Sequence, residues 1–105
     1  MTNNQPIYYI VYCITKFASF ADAKTKAPDK IAEHIRQSKQ LHTKGVLLMA
    51  GAFLDEPGQP LTTMGVLTSQ AAAEEYMQND PFVISGMVEM WHIRKWANMF
   101  AEEVS

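Results

Sequence analysis

Four stretches of the chain carry the apolar and β-branched residues that favour strands. Residues 7–14 and 46–53 contain no polar break, which predicts two strands that are apolar on both faces. Residues 63–68 and 87–97 predict two further strands. Gly51 is the expected position of a bulge or a close approach within the second strand.

Two other segments have helical periodicity. In residues 29–44 the less polar positions form one stripe, made of Ile31, His34, Ile35, Ser38, Leu41 and His42. Pro28 suits the start of this helix, and Gly45 suits its end. Ser69 is a suitable N-cap for a second helix over residues 70–78.

The connections between these elements differ in character. Residues 15–28 predict a long loop with one helical turn near 19–24, and residues 54–62, rich in proline and glycine, predict a turn between two strands. The connection after the second helix is a tight corner. Asp80 precedes a proline, which disfavours helical backbone and ends that helix.

Pro81 then suits the first position of a helical turn that has Asp80 as its N-cap. Gly86 releases the chain into the last strand. The corner therefore holds a carboxylate on stiff backbone.

The order strand, helix, strand, strand, helix, strand predicts an α+β fold. Short connections and right-handed crossovers favour a ferredoxin-like βαββαβ sandwich, a four-stranded antiparallel sheet with two helices on one face. The other face of the sheet would expose apolar residues of the strands predicted over 7–14 and 46–53. We therefore expect a second sheet to pack on it, supplied by an identical chain as a homodimer.

Composition and charge narrow the class of protein. The 105 residues are 48% hydrophobic and 19% charged with a net charge of −2, which predicts a single domain over 1–105, with a core of about 7–97 and polar tails at 1–6 and 98–105. The chain has no excess of basic residues, so nucleic acid is not expected as a partner. No apolar run approaches the ~20 residues of a membrane span, so a membrane is not expected as a partner either. The polar N-terminus predicts a cytoplasmic location, and the lone Cys13 predicts a small core residue.

His34 and Asp80 are 46 residues apart, and they could act together in acid–base chemistry only if the fold brings them into contact. A carboxylate that accepts one ring N–H of a histidine fixes its tautomer and leaves the other nitrogen free to move a proton. The alternative is a histidine at the margin of the core and an aspartate that only caps a helix. His42 is interpreted as a surface residue and His92 as a strand residue facing the opposite side, so the histidines share no metal-ligand spacing and no metal is predicted.

Four segments form a recognisable set in this order: the helix with His34, the run Lys44-Gly45-Val46-Leu47-Leu48-Met49-Ala50-Gly51, the corner Asp80-Pro81-Phe82 with Gly86, and the last strand ending Ile93-Arg94-Lys95-Trp96. Over about residues 7–97 this set resembles the YCII-related (YciI-like) family. The resemblance implies a dimeric α+β barrel, in which two ferredoxin-like units pack sheet to sheet. It also implies an active site made of His34 and Asp80.

Two positions depart from the family pattern. Many members carry an arginine three residues before the histidine, where this chain has Ile31, and a proline after the strand glycine, where it has Ala52. If that arginine binds an anionic group of a substrate, Lys26 or Lys30 would be the substitute, although an ammonium lacks the fork geometry of a guanidinium.

The resulting hypothesis is an enzyme that transfers a proton on a small cyclic or aromatic metabolite. The resemblance implies relatives that include a dehydrochlorinase, muconolactone isomerases and small monooxygenases. Proton transfer by a histidine and an aspartate requires no cofactor. The alternative is a non-catalytic dimeric module that binds a ligand or serves as an accessory protein.

Overall fold

The computed structural model of the protein describes residues 6–55 and 58–100. Its elements, in chain order, are β1 (Ile7–Thr15), α1 (Phe20–Lys26), α2 (Pro28–Thr43), β2 (Leu47–Ala52), β3 (Thr62–Leu67), α3 (Gln70–Gln78), α4 (Pro81–Ile84) and β4 (Val88–Ala97). Each predicted strand and each predicted long helix is present, and the boundaries differ by a single residue at most. Glu56 and Pro57 of the predicted turn, and most of the two predicted tails, lie outside the described residues.

The strands form one antiparallel sheet in the order β2-β3-β1-β4. With α2 and α3 on one face of this sheet, the fold is the predicted ferredoxin-like α+β sandwich. Within the described residues, no helix combines the length and the apolar character needed to cross a bilayer.

Alternate side chains of the central strand β1 belong to two different apolar layers. Val11 and Cys13 face the helices and pack with buried residues of α3 and the sheet, namely Leu47, Leu67, Ala73, Tyr76 and Met77. Tyr8 and Ile10 face the opposite side and pack with Val66. The strand is therefore apolar on both faces, as its sequence predicts.

The predicted helix ends are present. The Ser69 hydroxyl accepts a hydrogen bond from the Ala72 N–H at the start of α3. Gly45, at a φ of +76°, follows the C-cap of α2, where the left-handed conformation favours glycine.

The loop before α2 contains more helix than its sequence predicted. α1 extends over seven residues because its first turn is capped reciprocally: Ser19 accepts from the Asp22 N–H, and Asp22 accepts from the Ala18 N–H. Phe17, which is fully buried, and Ala23 anchor this helix in an apolar cluster with residues of α2 and α4.

The expectation for Gly51 was wrong. The irregularity in β2 lies between Leu47 and Met49, and no atom lies within 4 Å of the position that a Cβ would occupy at Gly51. The physical reason is packing: Leu48 joins the apolar cluster on the face of the sheet away from the helices, while Met49 pairs with Val66 on the neighbouring strand. Side-chain burial, not glycine, sets the position of this bulge.

Candidate active site

A cleft of about 700 Å³ lies between α2 and the strands β2 and β3. The part of its floor that β2 supplies has short side chains, those of Ala50 and Ala52. Bulkier residues at these positions would fill the space between helix and sheet. The volume and the largely apolar lining are typical of a site for one small molecule.

His34 on α2 contacts Asp80 at the start of α4, inside this cleft. The ring nitrogen Nδ1 lies 2.5 Å from the carboxylate oxygen Oδ1 of Asp80. Because a carboxylate only accepts hydrogen bonds, Nδ1 is the nitrogen that carries the hydrogen. The other ring nitrogen, Nε2, has no hydrogen-bond partner within residues 6–55 and 58–100, and His34 lines the cleft.

The second oxygen of Asp80 performs the capping function. Oδ2 accepts hydrogen bonds from the backbone N–H groups of Phe82, at 3.0 Å, and Val83, at 3.3 Å. Three donors therefore hold the Asp80 carboxylate, including His34. Because Asp80 is only 4% exposed, this carboxylate has little contact with solvent. The two roles considered from the sequence, a helix cap and a partner for His34, are therefore served by different oxygens of one residue.

A pair of hydroxyl groups lies next to this contact. Ser38 follows His34 by one helical turn, and its Oγ lies 2.9 Å from the hydroxyl oxygen of Tyr76. Burial raises the pKa of Tyr76, the hydrogen bond with Ser38 lowers it in part, and the charge of Asp80 raises it further. One hydroxyl hydrogen is used between the two groups, and the other has no acceptor among the described residues.

Cys13 also lines the cleft, on the strand side. Burial, followed by the negative charge of Asp80, raises the pKa of its thiol to about 11, and a hydrogen bond with Thr63 lowers it in part. The thiolate is the nucleophilic form of cysteine. At neutral pH Cys13 is therefore a small neutral core residue, as predicted.

The remaining two histidines lie on opposite sides of the sheet. His42 is exposed, as interpreted from the sequence, but it also lines the cleft, and its Nδ1–H donates to the Leu47 carbonyl at 2.8 Å. The four-residue spacing of His34, Ser38 and His42 is the sequence signal for this shared wall. His92 lies on the other face and stacks on Tyr12, with 5.3 Å between ring centroids. No group of three metal-ligating side chains occurs in the part of the chain that the structure describes.

The expected substitutes for the missing arginine are not at the cleft. Ile31, which occupies the arginine position, packs in the apolar cluster between α1, α2 and α4. Lys26 forms an ion pair with Asp22 at 3.1 Å, and neither Lys26 nor Lys30 lines the cleft. That expectation was wrong: Lys26 is held by Asp22 on α1, and Lys30 is exposed on α2 outside the lining of the cleft. Among the described residues, the lysine that lines the cleft is Lys39.

Fold and site define a class: a small α+β protein of ferredoxin-like fold, with a histidine–aspartate contact in a cleft under one helix. The sequence profile of the YCII-related domain family matches residues 7–97, and the chain belongs to that family. No curated protein matches the sequence significantly.

Solved structures with the same fold come from proteins of several kinds. One is a 5-chloro-2-hydroxyhydroquinone dehydrochlorinase (TftG) from Burkholderia phenoliruptrix AC1100, solved in complex with 2,5-dihydroxybenzoquinone; the TM-score is 0.62 at 16% identity, covering 85% of this chain and 92% of that chain. Another is a "putative antibiotic biosynthesis monooxygenase" from Bacteriodes thetaiotaomicron VPI-5482, with a TM-score of 0.52, 16% identity and 90% coverage of both chains. At these identities the similarity establishes the fold alone.

Proposed function

We propose that this protein is an acid–base enzyme that transfers a proton on a small cyclic or aromatic metabolite. His34 is the general acid and base, and Asp80 is its orienting partner. The observation that carries the proposal is the contact between Nδ1 of His34 and Oδ1 of Asp80 at 2.5 Å, beside a cleft of about 700 Å³. A buried carboxylate that is fixed by two backbone N–H groups holds the ring in one orientation.

The proton follows a simple path in this proposal. Nε2 of the neutral His34 ring removes a proton from a carbon or a hydroxyl group of the ligand, and the electron pair of the broken bond stays on the ligand. The ring becomes an imidazolium, which the Asp80 carboxylate stabilises through Nδ1–H. The ligand then either takes the proton back at a different atom, which is an isomerisation, or expels an anionic leaving group with its electron pair, which is an elimination.

The free hydroxyl hydrogen of the Ser38 and Tyr76 pair supports this path. Negative charge that develops on a ligand oxygen is stabilised by a fixed donor in a site shielded from water. The pair lies on the same wall as His34. The dehydrochlorinase with the same fold was solved with a planar ring compound, and a single ring of that size fits the volume of this cleft.

Isotope exchange tests the proposed function directly. A set of hydroxyquinones and cyclic ketones is incubated with the protein in D2O, and loss of carbon-bound hydrogen is followed by proton NMR. We expect exchange with at least one compound, and a loss of roughly 10²-fold or more in His34→Gln and Asp80→Asn, because both remove the base at Nε2. The matched control is Asp29→Asn, which changes an exposed carboxylate in the first turn of α2.

Exchange at the wild-type rate in His34→Gln would refute the acid–base role. A protein that binds these compounds and exchanges none of their hydrogens would instead be a binding module, the alternative considered from the sequence. Circular dichroism of each variant establishes that the fold is retained.

We also propose that the working form is a homodimer joined through the sheet face opposite the helices. This face exposes large apolar side chains of β4: Met90, which pairs with Ile14, is 51% exposed, and Trp96, which pairs with Tyr8, is 47% exposed. Monomeric proteins seldom leave such side chains together in water. We expect light scattering to give twice the chain mass, and the double variant Met90→Glu with Trp96→Glu to give a monomer. A wild-type monomer at micromolar concentration would contradict this proposal.

A further inference from the structure

Asp80 and Lys39 both line the cleft, but they differ in whether their charge is already paired. The carboxylate that lines it, Asp80, is already bound to His34 and to two backbone N–H groups. The lysine that lines it, Lys39, is exposed, and its ammonium has no carboxylate partner within residues 6–55 and 58–100. The unsatisfied charge of the cleft is therefore positive.

The neighbours of Lys39 on its own helix do not change this balance. The residues three and four positions away, which are the ones close enough to pair on a helix surface, are Ile35, Arg36, His42 and Thr43. None is acidic. Arg36, which is also cationic, is engaged by Glu33, whose pKa the hydrogen bond with Arg36 lowers to about 2.

Spacing along α2 separates this charge from the base. Lys39 follows His34 by five residues, which is a rise of about 7–8 Å along the helix axis and a rotation of about 140° around it, so the two side chains leave α2 at opposite margins of the cleft wall. The flexible four-carbon stem of a lysine allows its ammonium to reach the carboxylate or phenolate oxygen of a ring that lies next to His34. Ala50 and Ala52 of β2, which are exposed and line the cleft, have short side chains that leave room for a flat ring on the floor.

We propose that the cleft selects cyclic organic anions, with the ammonium of Lys39 on the carboxylate or phenolate oxygen and the ring on the floor next to His34. Lys39 is then the specificity-determining residue of the site. The orientation of the ligand toward His34 rests on the proposed function above, but the preference for an anion depends on charge alone. Neutral ligands lack the attraction, and cations meet an ammonium without a free carboxylate.

Three fluorinated probes of the same size test the preference: 4-fluorobenzoate, 4-fluorobenzamide and 4-fluorobenzylamine. Binding is measured by fluorine NMR, without any need for turnover. We expect the benzoate to bind most tightly and the benzylamine most weakly. In Lys39→Gln the benzoate should weaken roughly fivefold, the effect of one partly exposed charge pair, while the benzamide should be unchanged.

The matched control is Lys30→Gln. Lys30 lies on α2 and does not line the cleft. Its replacement removes the same charge as Lys39→Gln, so it should leave the benzoate affinity unchanged. Ala50→Leu, which fills the floor at an exposed position, should abolish binding of all three probes. Added salt should weaken the benzoate more than the benzamide.

Equal affinity for benzoate and benzamide, an unchanged preference in Lys39→Gln, or no benzoate binding in the millimolar range would each overturn the proposal. The same measurement on His34→Gln separates the two proposals. If His34 does not catalyse proton exchange, the anion preference still persists in that variant. If only the anion preference is wrong, the wild-type protein still exchanges protons and His34→Gln does not.

Discussion

Replacing Asp80 by asparagine should reverse the tautomer of His34 without unfolding the protein. The backbone N–H groups of Phe82 and Val83 remain donors in every variant, so they require the oxygen of the new amide to face them. The amide nitrogen must then face His34 Nδ1 as a donor. The imidazole then carries its hydrogen on Nε2, because Nδ1 has to accept the hydrogen bond from the amide. Nε2 is then no longer a base.

The cost in stability follows from the same contacts. Asparagine is as good an N-cap as aspartate, so Asp80→Asn should lower the free energy of unfolding by less than about 1 kcal/mol. Asp80→Ala loses the cap, worth about 1 kcal/mol. It also leaves His34 Nδ1–H without its partner, which costs about 1 kcal/mol more because the ring is partly exposed to water. The total for alanine is about 2 kcal/mol, or a melting temperature lower by roughly 10 °C.

Two measurements check this reasoning. Long-range proton–nitrogen NMR correlations of the imidazole distinguish the two tautomers, and urea unfolding gives the free energies. We expect the Nδ1–H form in the wild-type protein and the Nε2–H form in Asp80→Asn. An unchanged tautomer in Asp80→Asn would refute the orienting role of Asp80. Equal destabilisation by asparagine and alanine would refute the capping account.

Two further predictions concern the groups around this contact. The unfolded Cys13 thiol releases its proton near pH 9.0 and the folded one near 11, so the folded state binds more protons and stability falls in this window. Urea unfolding should show a loss of about 1.4 kcal/mol at pH 10 that is absent in Cys13→Ala, and an equal loss in both proteins would contradict it. Tyr76→Phe removes the hydroxyl partner of Ser38 and should lower stability by about 1 kcal/mol, whereas no change in urea unfolding would show that this hydrogen bond adds nothing.

The sequence predicted the framework of the site because that framework is local. Asp80 before Pro81 defines a helix cap from neighbouring residues alone, and the structure contains it. The position of His34 on the stripe of α2 that faces the core likewise follows from the helical period of the sequence. The pairing of the two, 46 residues apart, came only from the family resemblance, since no local rule joins two separate elements.

The ligand-facing surface was less accessible to sequence reasoning. The cleft is open over β2 because Ala50 and Ala52 have short side chains, and the register of this strand follows a bulge between Leu47 and Met49, not the bulge that the sequence predicted at Gly51. The sequence does not single out Lys39, because the helical pattern gives its position but not the strand opposite it. Both features depend on tertiary packing.

The floor of the cleft belongs to the edge strand β2, whereas the two residues of the proposed proton transfer, His34 and Asp80, belong to α2 and to the N-cap of α4. An edge strand has one hydrogen-bonded neighbour, and the side chains of Ala50 and Ala52 are exposed, so their replacement disturbs few packed atoms. If the proposed function is correct, the size of the molecule that the cleft accepts can therefore be altered one methyl group at a time without changing His34 or Asp80. For protein engineering, β2 is the element to randomise when a differently sized substrate is wanted.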